Sequence, residues 1–176
     1  MNHIHGKIHI YYGDGKGKTT AAMGLAMRAL GRGMRVVGIQ FLKNGDSGEI
    51  LALRNFERAS FHSPNIRKFL FEMNQRELEQ TTSSQLQLFD RVTSQPNFAL
   101  NNVFVLDEIL GAVETNTFPL QKLLDFLKTR PYHMEVILTG RVAPEALLEV
   151  ADYVTMMCAK KHPYSQGVPA RMGIEM

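Results

Sequence analysis

The stretch Tyr12-Gly13-Asp14-Gly15-Lys16-Gly17-Lys18-Thr19-Thr20 follows directly on the alternating segment Lys7-Ile8-His9-Ile10-Tyr11, and residues 19–30 carry Ala22, Leu25, Ala26 and Ala29 at helical spacing. A strand, a glycine-rich turn and a helix in that order constrain the fold more than any other feature of the chain. Successive backbone N–H groups in such a turn converge on an anion, and the helix they open adds the positive end of its dipole. The pattern reads as a phosphate-binding loop in which Lys18 reaches the phosphates and the hydroxyl of Thr19 completes the shell of a magnesium ion. Gly13, Asp14, Gly15, Lys16, Gly17, Lys18, Thr19 and Thr20 are the expected contacts of a nucleoside triphosphate. The usual loop has glycine where this chain has Tyr12, so a glycine-rich turn that binds nothing is the alternative.

Beyond the loop, Gly31-Arg32-Gly33 supplies a helix stop, and 35–41 is a short apolar run of the kind buried on both faces of a parallel sheet. Residues 44–48 read as a flexible polar loop and 59–62 as a weak strand. An amphipathic helix is expected over 74–93, with Leu78, Leu86, Phe89 and Val92 on its apolar face and a solvated polar face. A strand at 102–106, a helix at 120–128 and a strand at 135–139 follow. A helix at 144–151 with Pro144 near its first turn, a strand at 153–157 and a glycine- and proline-rich tail complete the chain. This alternation implies an α/β fold with a parallel sheet, right-handed crossovers and a ligand site at the carboxyl ends of the strands. No repeat, low-complexity stretch or linker divides the 176 residues, which are expected to form one domain.

A lone cysteine, Cys158, excludes a disulfide framework and a cysteine-based zinc site, and suits a reducing cytoplasm. No apolar run is long enough to span a bilayer and no targeting segment opens the chain, so a soluble protein with no membrane partner is expected. The formal charge of +3 is modest and the basic residues are scattered, which argues against nucleic acid. His3, His5 and His9 alternate as metal ligands on one side of an extended segment would. No further ligand is evident, and a solvated terminus is the simpler account.

The apolar strand ends in Asp107-Glu108, where an acidic motif would hold magnesium directly or through water. Thr19, Asp107 and Glu108 form the expected metal set, with the choice of carboxylate open; capping of the next helix is the other role for such a pair. Arg141, in Thr139-Gly140-Arg141 after another apolar strand, either donates its planar fork to phosphates or stands exposed in a turn. Lys18, Glu108 and Arg141 are the residues expected to carry the chemistry.

The loop, Gln40-Phe41-Leu42-Lys43, Val105-Leu106-Asp107-Glu108, Thr139-Gly140-Arg141, Lys161-His162-Pro163-Tyr164-Ser165-Gln166-Gly167-Val168 and Ala170-Arg171-Met172-Gly173-Ile174-Glu175 stand in one order. Together they resemble the bacterial ATP:corrinoid adenosyltransferases over nearly the whole chain. The resemblance implies a phosphate-loop NTPase-like (RecA-like) fold and transfer of the 5′-deoxyadenosyl group of ATP to the cobalt(I) of a corrinoid, with release of triphosphate, in adenosylcobalamin synthesis or salvage. It implies ATP and Mg2+ at the loop, with Arg141, Lys161 and His162 as further ATP contacts. It implies an aromatic wall against the corrinoid at Phe69 and Phe71, although two phenylalanines at that spacing are more often core. Phe71 stands where well-known relatives have tryptophan. A homodimer and a flavoprotein reductant are the expected partners. His62 and His133 are left as structural.

Two other classes use the same loop. A phosphate-loop kinase or ATPase would recruit Asp107 and Glu108 for γ-phosphoryl transfer, and a non-catalytic switch would order residues 44–49 around bound ATP. Neither accounts for the tail.

Overall fold

The computed structural model describes residues 5–175. Strands β1 (Ile8–Tyr12), β2 (Val36–Gln40), β3 (Ala59–His62), β4 (Val103–Asp107), β5 (Glu135–Thr139) and β6 (Tyr153–Met156) form one sheet in the order β3-β2-β4-β5-β1-β6. Every neighbouring pair is parallel. Helices α1 (Lys18–Gly31), α2 (Gly48–Leu53), α3 (Gln75–Thr93), α4 (Ile109–Glu114), α5 (Leu120–Thr129) and α6 (Glu145–Val150) connect and flank the strands.

Because side chains alternate along a strand, the central strands feed two cores. Val37, Ile39, Phe104, Leu106, Val136 and Leu138 pack with Leu88, Phe89 and Val92 of α3 and with Leu123 and Leu127 of α5. Val36, Val103, Val105 and Ile137 pack on the other face with Ala22, Met23, Ala26 and Leu30 of α1 and with Ile50 and Leu53 of α2. Burial on both faces is why these strands are almost wholly apolar. At the sheet's edge β6 is different: all four of its residues are exposed.

Two helices depart from the sequence reading. α2 begins at Gly48, at the end of the expected polar loop, and α4 directly follows β4 through Glu108, whose φ is +61°. Ile109-Leu110-Gly111-Ala112-Val113 is buried throughout, so it lacks the polar side from which a helical period is read. The expected solvated face of α3 also needs correction. Thr81 and Gln85 are buried, and Gln85 accepts a hydrogen bond from the Leu42 N–H at 3.2 Å.

The start of α3 is fixed by reciprocal bonds: the Asn74 side chain accepts from the Glu77 N–H and the Glu77 carboxylate accepts from the Asn74 N–H, both at 3.0 Å. Removing the cap in Asn74→Ala is expected to lower the unfolding free energy by about 1 kcal/mol, read as a lower denaturant midpoint at unchanged slope; an unchanged midpoint would show the box to be inert.

Candidate active site

Tyr12, Asp107, Thr139 and Gln40 all stand at the carboxyl ends of their strands, so β1, β4, β5 and β2 deliver them to one edge of the sheet. The loop that leaves β1 is held from two sides. Gly13 donates its N–H to the Arg141 carbonyl at 3.0 Å, and Gly15 donates to the Met157 carbonyl at 2.7 Å. Met157 donates in return to the Tyr12 carbonyl, and the Asp14 carboxylate accepts from the Ala159 N–H at 3.1 Å. A Cβ on Gly15 would come within 2.7 Å of the Met157 carbonyl, and Gly13 has a φ of +114° against the same carbonyl, so both places need glycine. Gly17, at φ +107°, turns the chain into α1.

Beyond Gly15 the donors run free. The N–H groups of Lys16, Gly17, Lys18, Thr19 and Thr20 have no hydrogen-bond partner among the described residues, and they stand at the positive end of a helix of 14 residues. The Lys18 ammonium is folded back onto the Gly15 carbonyl at 2.7 Å. Such a row of amides with an adjacent ammonium is built to receive a polyanion.

Next to it lies Asp107, fully buried. Its Oδ1 accepts from the Thr19 and Thr139 hydroxyls, both at 2.8 Å, and its Oδ2 accepts from Gln40 Nε2 at 3.0 Å and from the Lys43 ammonium at 2.7 Å. Burial works to lower the pKa of Lys43, but the charge and hydrogen bond of Asp107 outweigh it and hold the ammonium above its ordinary value. Thr139 also accepts the Glu108 N–H at 2.9 Å. Glu108 occupies the N-cap position of α4 without its side chain capping the helix. Its carboxyl is pushed up, first by burial and then by the charge of Asp107, against the pull of Lys43 and Lys18. The carboxylates therefore differ: one is saturated with donors, the other accepts no hydrogen bond among the described residues.

The remaining expected contacts are less gathered. Arg141 touches the loop through its backbone carbonyl and is an exposed residue. Lys16 and Thr20 are exposed at the loop. Lys161 is exposed, and the His162 ring accepts from the Tyr164 N–H; among the described residues no hydrogen bond or ion pair joins either residue to the loop. The tail's end comes nearer in charge: Glu175 is held down at about 2 by hydrogen bonds from Arg171, with a smaller contribution from Lys16. Phe69 and Phe71 are 68% and 85% exposed and stack face to face at 5.4 Å, so they are not core. His9 bonds Glu135 at 2.9 Å and stacks on Tyr153, and His5 packs edge-on against Tyr132; His3 lies outside the described residues. No cluster of three or more metal-ligating His, Cys, Asp or Glu side chains occurs among the described residues.

The model of the family ATP:corrinoid adenosyltransferase BtuR/CobO/CobP matches residues 4–176. The chain belongs to this family. It is 35% identical to the corrinoid adenosyltransferase CobA of Salmonella typhimurium, over 97% of this chain and 85% of that protein. It is 33% identical to a corrinoid adenosyltransferase of Pseudomonas aeruginosa, over 97% and 83%, and 32% identical to one of Escherichia coli K12, over 97% and 85%. The kinase reading is not favoured. No helix among the described residues of this adenosyltransferase family member is long and apolar enough to cross a membrane.

Lys43, Gln40 and Thr139 contact Asp107 without having been singled out for a role in the sequence. Their signals were position, each at or just past the carboxyl end of a strand, and membership of the motifs at 40–43 and 139–141 that carry the resemblance. Glu108 yields a pH prediction. A carboxyl raised in the folded state keeps its proton where the unfolded chain, near the ordinary value of 4.5, has lost it. Stability therefore falls as pH rises through that window, and the deficit persists above it. In metal-free buffer Glu108→Gln is expected to melt above the parent at pH 7.5, with the difference fading below pH 4.5; a variant that melts lower at pH 7.5 would contradict the burial argument.

Proposed function

We propose that the chain transfers the 5′-deoxyadenosyl group of ATP to the cobalt(I) of a corrinoid and releases triphosphate, with residues 1–176 acting as one catalytic domain. The observation that carries this reading, beside family membership, is the row of unpartnered N–H groups from Lys16 to Thr20 next to the Thr19–Asp107 pair. That arrangement suits a triphosphate held as a leaving group.

In this reading the cobalt(I) electron pair forms the bond to C5′ while the C5′–O bond breaks and its electrons pass to the triphosphate. The nucleophile carries no proton to remove, so the protein needs no general base at the reacting carbon. It has to align C5′ with cobalt and stabilise the charge gathering on the phosphates. The free amides do this without reorganising, and Lys18 exchanges the Gly15 carbonyl for a phosphate oxygen. Arg141, Lys161 and His162 are further contacts of ATP, reached by closure of the exposed tail. Thr19 with Asp107 or Glu108 would hold Mg2+, a fit supported by the Lys43 ammonium that sits between Thr19 and Asp107 as a cation does. When bound, the metal adds positive charge at the departing triphosphate.

Phe69 and Phe71 form the wall against the corrinoid. Their stacked, exposed rings support the assignment, because an apolar surface of this kind calls for a partner. A second subunit covering the corrinoid, a flavoprotein supplying cobalt(I) and a cytoplasmic setting belong to the same reading.

Purified protein, ATP, Mg2+ and chemically reduced corrinoid, mixed without oxygen, are expected to give a light-sensitive adenosylated corrinoid and triphosphate in equal amounts. ADP and phosphate with unchanged corrinoid would return the chain to the kinase class. Lys18→Ala should lose ATP binding and transfer together, transfer falling roughly a hundredfold or more, and full transfer by this variant would remove Lys18 from the site. Phe71→Ala should mainly slow reduction of bound cobalt(II) while leaving ATP affinity within about twofold; normal reduction by a weak reductant would take Phe71 out of the wall.

A further inference from the structure

Lys43 is placed more deliberately than a surface lysine. Its carbonyl accepts from the Ser63 hydroxyl at 2.5 Å and from the Ile66 N–H at 3.1 Å. The preceding residue, Leu42, takes a φ of +56° and is pinned by the buried Gln85. From this fixed base the stem carries the ammonium to 2.7 Å from Asp107 Oδ2 and 3.2 Å from Thr19 Oγ1. Those are the oxygens on which the metal of a bound nucleotide would be received, directly or through water. The side chain is 30% exposed, so it has an open side toward which to move.

A divalent cation and an ammonium cannot share that seat, since like charges a few ångströms apart in a half-buried site repel strongly. Asp107 loses nothing by the exchange: Gln40, Thr139 and Thr19 remain around it, and one cation replaces another. The displaced ammonium has a partner close by, because a metal on Thr19 sits against the phosphates held by the free N–H groups of residues 16–20. We propose that Lys43 is a further triphosphate ligand, whose ammonium holds the cation seat between Thr19 and Asp107 in the free protein and passes to the triphosphate oxygens when metal and nucleotide enter. The leaving group gains one negative charge as the C5′–O bond breaks, and Lys43 is a second mobile ammonium beside Lys18 to meet it. The inference rests on the nucleotide reading above. It also joins the cation seat to the segment leading to Phe69 and Phe71, since the Lys43 backbone carries the bonds from Ser63 and Ile66.

Two measurements test it. Mn2+ titration of nucleotide-free protein, followed by electron paramagnetic resonance, is expected to show binding at least about tenfold tighter in Lys43→Gln than in the parent. The amide keeps a donor for Asp107, so this variant leaves the pocket filled. Equal Mn2+ affinity overturns the shared seat. In Asp107→Asn, which frees the ammonium, acylation of Lys43 read by mass spectrometry is expected to slow about tenfold on adding inorganic triphosphate. An unchanged rate, with calorimetry recording triphosphate bound to that variant, overturns the transfer to phosphate while leaving the nucleotide reading intact. Absence of triphosphate binding to the parent protein defeats that reading and this inference with it.

Discussion

A carboxylate removed from water is among the most costly groups a fold can contain unless its charge is paired and its lone pairs are occupied. Asp107 is such a group, and its donors come from separate parts of the chain: Thr19 at the start of α1, Gln40 at the end of β2, Lys43 just after it, and Thr139 at the end of β5. Satisfying it requires β2, β4 and β5 to be in register at their carboxyl ends and α1 to begin within reach of β4. The parallel order β2-β4-β5-β1 provides that arrangement. The glycine loop is then brought to the same place from the other side, between the carbonyls of Arg141 and Met157.

The electrostatics of this edge suit a polyanion that leaves better than a hydroxyl that must be activated. The loop offers unpaired amides, and Lys18 and Lys43 are both occupied by groups of the protein that a ligand can replace. Asp107 has both carboxylate oxygens taken up by donors of the protein. Glu108, pushed up by burial and by its neighbour, accepts no hydrogen bond among the described residues, and the Thr19 hydroxyl is turned to Asp107. The aromatic pair at Phe69 and Phe71 follows the segment whose Ser63 and Ile66 bond the Lys43 carbonyl, so the proposed corrinoid wall and the proposed phosphate end belong to one connected region.

Much of this was legible from residues alone. The loop, the apolar strands at 103–106 and 135–139 and the long helix at 74–93 obey local rules: glycine where the backbone must turn, near-continuous hydrophobicity where both faces are covered, a 3.6-residue period where one is. What escaped was set by tertiary contact. Residues 109–113 form a helix buried on all sides, whose composition matches a strand equally well. Gln85 looks like one more polar residue on a solvated face until Leu42 is seen to need its carbonyl oxygen. Lys43 lies 64 residues from Asp107, and no local pattern announces a lysine that pairs across that distance. Lys161 and His162 are expected as ATP contacts only through resemblance, and no hydrogen bond or ion pair among the described residues joins either to the loop.

The central claim is that the bond broken lies between C5′ and its oxygen, with the triphosphate end held by the glycine loop. ATP carrying 18O at the 5′ bridging position tests this directly, by mass spectrometry of the products after turnover with reduced corrinoid. The account predicts that the label leaves in the triphosphate, with none in the adenosyl product. Label retained on the adenosine, with any phosphate product unlabelled, would mean that phosphorus was attacked and would contradict it.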